Sequence, residues 1–375
     1  MYTKINNIQP HGELGIIALE SCKNIGIEID DYVKKLRKDN GEESDKESYL
    51  IKADAIRFSN GEGKVKLRES VRGKDIYILC DVGNYSCTYN MFGFTNHMSP
   101  DEHFQDIKRV VSAISGKANR VSVIMPLLYA SRQHRRKGRE SLDCALALQE
   151  LQNLGVKTVV TFDVHDPNIQ NAVPTSMSFE NFYPTHTILE SLIDNEDIKD
   201  ILVISPDMGA MERARYYADM LGCDVGVFYK RRDLSKVVNG KNPIVEHMYM
   251  GAIPEGKDVI FVDDMIASGG SMIEVAEHLK NKGANKVYLI ATFTLFTEGV
   301  DKFVEAFDKG LFNKLYTTNL SYIPENIKEL EWFNDVDCSK YLALIINTFN
   351  KKDDIEPLWN GKKKIIDKIR KKMSL

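Results

Sequence analysis

Residues 259–272, VIFVDDMIASGGSM, run from an apolar stretch through two adjacent acids and a Ser-Gly-Gly-Ser loop into an amphipathic segment. Locally this reads as a buried strand, a turn and a helix. In open α/β sheets, ligands sit just beyond the carboxyl ends of strands. Gly269 and Gly270 let backbone N–H groups approach an anion, and a following helix N-terminus favours negative charge. Ser268 and Ser271 add hydroxyl donors. A phosphate suits such a cradle. Asp263 and Asp264 supply acceptors for sugar hydroxyls, or for a magnesium ion reached through water. A strand–turn–helix with ordinary capping residues is the plainer alternative.

Short runs of the same kind recur along the chain, at 75–80 (DIYILC), 121–128 (VSVIMPLL), 157–164 (KTVVTFDV), 200–204 (DILVI), 224–228 (DVGVF), 258–262 (DVIFV) and 286–291 (KVYLIA). Continuous apolar runs of this length suit strands covered on both faces. Amphipathic stretches at 140–154, 210–221 and 271–282 lie between them. Strand–helix–strand alternation predicts parallel sheets with right-handed crossovers. The low-periodicity stretch 171–184 (NAVPTSMSFENFYP) divides two such sets. The expected division is an N-terminal domain at 1–180, a C-terminal domain at 181–355 and a basic tail at 356–375. Residues 37–49 and 81–103 are polar or irregular and read as surface loops. In the tail, Ile365, Ile366 and Ile369 have helical spacing and predict a solvated helix packing its isoleucines.

A chain of 375 residues with 43% hydrophobic and 28% charged residues suits two folded domains of ordinary size. Its net charge of −4 gives no global footprint for nucleic acid, so any polyanion site is local. The six cysteines form no Cys-x-x-Cys pair, and no apolar run reaches membrane-spanning length. The expectation is a cytoplasmic, reduced protein with neither a nucleic acid nor a membrane as partner. Residues 251–257 (GAIPEGK) match P-loop spacing, but Asp258 stands where Ser or Thr would bind magnesium, and the segment precedes a strand. It reads as a turn.

Residues 57–62 (RFSNGE), 69–73 (ESVRG), 129–136 (YASRQHRR), 162–170 (FDVHDPNIQ), 205–215 (SPDMGAMERAR) and 228–233 (FYKRRD) follow in order. The 259–272 segment resembles the phosphoribosyl-pyrophosphate-binding loop of type I phosphoribosyltransferases. The six others, from Arg57 onward, resemble the motif series of ribose-phosphate pyrophosphokinases. That resemblance implies two tandem α/β domains of phosphoribosyltransferase type, with parallel sheets flanked by helices. It implies transfer of the β,γ-diphosphoryl group of ATP to the C1 hydroxyl of ribose 5-phosphate, with Mg2+ as cofactor. It also implies a homo-oligomer, dimer or hexamer, with ATP at a subunit interface.

Residue by residue, the resemblance gives Lys230 and Arg232 the charge on the transferring group. Arg132 and Gln133 would hold ATP, and Phe58, Asn60 and Glu62 would reach the adenine of a neighbouring subunit's site. His165 and Asp207 would lie at the magnesium–phosphate cluster as metal contacts, His165 also counting as catalytic. Asp263, Asp264, Ala267, Ser268, Gly269, Gly270 and Ser271 would hold ribose 5-phosphate. Ser70 and Arg72 align with an allosteric phosphate site. The chain departs from the family pattern at His134, Ala210 and Ala267, where Asp, Gly and Asp are usual.

On residue chemistry alone, the basic triplet 230–232 stands open between a polyphosphate clamp and a solvated turn. The polar stretch 233–241 after it is expected to be mobile without substrate. Two rivals remain: a phosphoribosyltransferase, which would need a nucleobase pocket, and a non-catalytic regulatory homologue. Arg132-Gln133 and Lys230–Arg232 count against the first, and Lys230, Arg232, His165 and Asp207 against the second.

Overall fold

The computed structural model describes residues 10–42, 46–136, 138–232, 244–359 and 361–373, without the side chains of 230–232, 244–247, 359, 370 and 373. The chain forms two compact units. Unit 1 comprises Met1–Tyr183, Asn319–Tyr322 and Asp337–Asn360, and unit 2 comprises Pro184–Thr318, Ile323–Val336 and Gly361–Leu375.

In unit 1 the chain runs through β1 (Glu13–Ala18), α1 (Lys23–Asp39), β2 (Ala53–Arg57), β3 (Gly63–Leu67), β4 (Lys74–Leu79), β5 (Thr88–Met91) and β6 (Phe94–His97). It continues through α2 (Pro100–Ile114), β7 (Arg120–Ile124), α3 (Asp143–Asn153), β8 (Thr158–Phe162) and β9 (Ser178–Phe182). A sheet of order β1-β4-β7-β8-β9 is parallel throughout. Every residue of β8 is buried, as a strand covered on both faces requires. The pairs β2–β3 and β5–β6 are separate antiparallel hairpins. Helix α2 starts where its sequence dictates. Ser99 and Glu102 form a reciprocal capping box, with Pro100 in the first turn.

Unit 2 contains α4 (Thr185–Asn195), β10 (Ile201–Ser205), α5 (Met211–Leu221), β11 (Asp224–Arg232), β12 (Ile244–Gly251), β13 (Asp258–Ile266) and α6 (Gly270–Asn281). It goes on through β14 (Val287–Thr294), α7 (Asp301–Asp308), β15 (Lys314–Thr318), α8 (Glu325–Lys328) and β16 (Phe333–Val336). Its sheet has the order β12-β11-β10-β13-β14-β15-β16, parallel except for the antiparallel edge strand β12. Alternate residues of the central strands feed opposite cores, because side chains alternate across a sheet. Leu202, Phe261 and Leu289 pack with Val275 and Phe303 on one face. Val203, Ile260 and Ile290 pack with Leu189 and Ala214 on the other. The stretch 252–257 is the turn between β12 and β13.

Three helices close the chain: α9 (Ser339–Lys351), α10 (Glu356–Trp359) and α11 (Lys362–Met373). The linear division expected from sequence needs correction here. Residues 337–355 belong to unit 1, because α9 lies against α1. Arg37 donates to Asn347 Oδ1 (2.9 Å) and Asn350 Oδ1 (2.7 Å), and Asn350 reaches Asp75 Oδ2 (2.9 Å). The tail is likewise split, since Gly361–Leu375 joins unit 2. There α11 buries Ile365 completely beside Ile188 and Leu189, with Ile369 packed against the same core. Lys364 pairs with Glu190 and Lys368 with Asp194, both at 2.5 Å.

Residues 81–103 are not simply a surface loop. Asp81, Val82, Asn84 and His103 are buried, and the β5–β6 hairpin stands between them. Both Asn84 and Asp81 satisfy backbone groups: Asn84 Nδ2 donates to Ser21 O at 3.0 Å, and Asp81 accepts from the Tyr322 N–H at 2.8 Å. The polar residues that suggested exposure are the groups that satisfy buried backbone.

Candidate active site

In unit 1, Phe58, Asn60 and Glu62 form the turn between β2 and β3. The Phe58 N–H donates to Glu62 O (2.7 Å) and the Gly61 N–H to Phe58 O (2.9 Å). Asn60 Nδ2 reaches Glu62 Oε2 at 3.0 Å. The Phe58 ring is 45% exposed, with the Lys64 ammonium 5.3 Å from its centroid. Directly behind the turn, Arg57 makes two bonds of 2.8 and 2.7 Å to Asp106, which also accepts from Arg109 at 2.7 Å. A buried, bidentate anchor thus fixes the root of an exposed turn. Ser70 and Arg72 are exposed after β3, where Ser70 Oγ accepts from the Arg72 N–H at 3.3 Å.

Arg132 and Gln133 follow β7, and His165 follows β8, so all three lie beyond the carboxyl ends of parallel strands. Gln133 N–H donates to Ala130 O (2.8 Å), and Arg132 and His165 are exposed. Two non-glycine residues here sit in the left-handed region, Ala130 (φ 54°) and Asp163 (φ 41°). Such strain clusters at functional sites. His134, where the family pattern has Asp, is a residue whose role the sequence reading missed. Its ring faces the Ser131 carbonyl at 3.1 Å and Asp166 Oδ2 at 3.0 Å, and it lies 5.6 Å from the His165 ring. His134 therefore ties the loop after β7 to the loop after β8. At Asp166 burial pushes the carboxyl pKa up, but the Asn168 donors outweigh it and, with His134 and Arg135, bring it below its usual value.

In unit 2, Asp207 follows β10 and is exposed. Its Oδ1 accepts from the Gly209 (2.8 Å) and Ala210 (3.1 Å) N–H groups, shaping the entry to α5. Ala210 has an ordinary φ of −91°, so this turn does not require a glycine there. Strand β13 extends through Asp263 and Asp264 to Ile266, so both acids lie within the strand. Asp264 is buried and donates its N–H to Asp263 Oδ1 at 2.9 Å. Burial raises the Asp263 pKa first, then the neighbouring Asp264 carboxyl, while the charge of Arg213 on α5 pulls it down. Arg213 lacked any local sequence signal, being one more cation on an amphipathic helix.

The loop 267–271 leads straight into α6. Gly269 is the N-cap, with φ 75° and no side chain to cap the first turn. A Cβ at Gly269 would meet the Phe303 ring at 2.2 Å, whereas at Gly270 it would meet open space. The Met272 N–H donates to Gly269 O at 3.0 Å, but no side chain caps the start of α6, the arrangement that receives an anion.

Lys230 and Arg232 lie on β11, opposite His247 and Ile244 of β12, with a register shift between Arg231 and Arg232. Their side chains, and the stretch 233–241, lie outside the described residues. Among the described residues no cluster of three or more His, Cys, Asp or Glu stands ready for a metal.

The N-terminal domain of ribose phosphate pyrophosphokinase matches residues 14–155, and the phosphoribosyl transferase domain matches residues 185–319. A ribose-phosphate pyrophosphokinase of Mycoplasma genitalium is 31% identical over 77% of this chain and 81% of its own. That of Bacillus subtilis is 27% identical over 83% of this chain and 90% of its own. Among solved structures, phosphoribosylpyrophosphate synthetase from Mycobacterium smegmatis superposes with a TM-score of 0.71. It covers 91% of this chain and 99% of its own, at 21% identity, and so bears on the fold alone.

Proposed function

The chain belongs to the ribose-phosphate pyrophosphokinase family, and from that premise we propose how its own residues carry the reaction. It is a ribose-phosphate diphosphokinase, making phosphoribosyl pyrophosphate and AMP from ribose 5-phosphate and ATP. The C1 hydroxyl oxygen of the sugar forms a bond to the β-phosphorus of ATP. The bond from that phosphorus to the α-phosphate oxygen breaks, AMP leaves, and the hydroxyl proton is lost. Such transfers rest on positioning and charge neutralisation.

The 5-phosphate sits on the uncapped first turn of α6. The observation that carries this is Gly269-Gly270, one glycine demanded by backbone and packing, the other opening onto free space. Ser268 and Ser271 donate hydroxyl bonds, the Ala267 segment lets the backbone approach, and Asp263 and Asp264 accept from the ribose hydroxyls. Arg132 and Gln133 hold ATP phosphates at the end of β7. Phe58, Asn60 and Glu62 offer a half-exposed ring and a hydrogen-bonded turn to adenine, in an oligomer where that turn serves a neighbour. Lys230 and Arg232 neutralise charge on the diphosphoryl group as it moves. Ser70 and Arg72 form a regulatory phosphate contact.

Mg2+ takes few protein carboxylates and completes its shell with water and phosphate oxygens, so ATP-borne magnesium needs no preformed cluster. Asp207 is the oxygen donor suited to it. His165 joins the same cluster more readily through a phosphate, since imidazole is a poorer match for magnesium. When bound, the ion would neutralise polyphosphate charge. We place the reaction in the cytoplasm, in keeping with six free thiols. No described helix is long and apolar enough to cross a membrane. Purified protein should form AMP only with ribose 5-phosphate and a divalent cation present. Folded protein that forms none with magnesium or manganese would move the reading to the regulatory rival.

A further inference from the structure

The β5–β6 hairpin ends in a two-residue turn, Phe92-Gly93, closed by the Met91–Phe94 pair. Both turn residues have positive φ, 50° and 85°. Turns of this kind favour Asn-Gly, because the first position is left-handed. A phenylalanine there is strained, and no burial compensates it: Phe92 and Phe94 are each 73% exposed. The tip also docks on the β2–β3 turn. The Phe92 N–H donates to Ser59 O at 3.1 Å. Met91 lies so close to Gly61 (φ 91°) that a Cβ there would stand 2.6 Å from its sulfur. At its root, Tyr89 bonds Glu102 and places its ring 5.6 Å from the Arg57 guanidinium. Hairpin and turn are therefore held together at both ends, and Phe58, Phe92 and Phe94 are exposed rings on that joined structure.

We propose that the tip of β5–β6 extends the nucleotide-binding surface of the β2–β3 turn, with Phe92 supplying a ring face for the adenine of ATP. This rests on the reading that Phe58, Asn60 and Glu62 serve ATP. A purine offers a π-face to any exposed aromatic ring, and the Lys64 cation beside Phe58 suits a polyanionic ligand.

Phe92→Gly removes the ring and relieves the backbone, so the fold should melt no lower than wild type. The KM for ATP should rise about fivefold or more, as loss of one base-stacking contact implies. The kcat and the KM for ribose 5-phosphate should hold, and Phe92→Tyr should restore the ATP value. An unchanged KM for ATP in Phe92→Gly, alongside a raised one in Phe58→Ala, would overturn the proposal and leave the turn reading standing. No change in either variant would remove both. A smaller assembly in Phe92→Gly, seen by light scattering, would assign the ring to a contact with a second copy and overturn the proposal.

Discussion

A β-carbon added at Gly269 and one added at Gly270 meet opposite surroundings. Gly269→Ala must hold a left-handed φ and push into Phe303, so it should lower stability by about 2 kcal/mol or more, read as a drop in Tm. A Cβ at Gly270 meets open space, so in Gly270→Val the fold should stay intact while the KM for ribose 5-phosphate rises about tenfold or more. Reversal of those two outcomes would place the anion elsewhere. Lys230→Ala and Arg232→Ala should each lower kcat by about a hundredfold while changing the KM for ATP modestly, since cations that act on developing charge serve the transition state. A large KM effect with kcat preserved would make them binding residues only. The cradle was legible in the sequence because Ser-Gly-Gly-Ser is a local pattern. The tie from His134 to Asp166 was not, because it joins loops after two different strands and has no spacing rule behind it.

Asp81 shows what an element boundary can hide. It closes β4 onto the segment Asn319–Tyr322, accepting from Ser321 Oγ (3.1 and 3.0 Å), the Tyr322 N–H (2.8 Å) and the Gly83 N–H (2.8 Å). Burial nonetheless pushes its pKa up to about 6 against those donors. A carboxyl raised on folding binds its proton more tightly in the folded chain. Its contribution is therefore favourable below the unfolded-state value and is lost as pH rises toward about 6. Comparing wild type with Asp81→Asn cancels the other titrating groups. The difference in unfolding free energy should change by on the order of 2–3 kcal/mol between pH 4 and 7. A flat difference would mean that the carboxyl titrates alike in both states. The strands covered on both faces were readable as apolar runs, β8 and β13 among them. The hairpins were not: β3 (GKVKL) and β5 (TYNM) carry little apolar patterning and are paired locally, away from the main sheets.

At the scale of the whole molecule, the expected assembly has a concentration signature. Where the β2–β3 turn serves a neighbour's ATP, specific activity should fall on dilution in step with loss of the oligomer in sizing experiments. Full activity in a monomer at nanomolar concentration would assign the turn to its own chain. The two-unit plan was visible as two sets of alternating runs, yet the return of α9 to unit 1 was not. An amphipathic helix records that it has an apolar face, not which element will cover it.

That return fixes the order in which a newly made chain can finish. Arg37 on α1 waits for Asn347 on α9, 310 residues later. At synthesis rates of 5–20 residues per second, the interval is roughly 15–60 s. Throughout it, unit 2 emerges from the ribosome while α1 still lacks the cover of α9. The N-terminal half thus begins first and closes late, and the nascent chain meets chaperones and proteases with that face of its first helix uncovered.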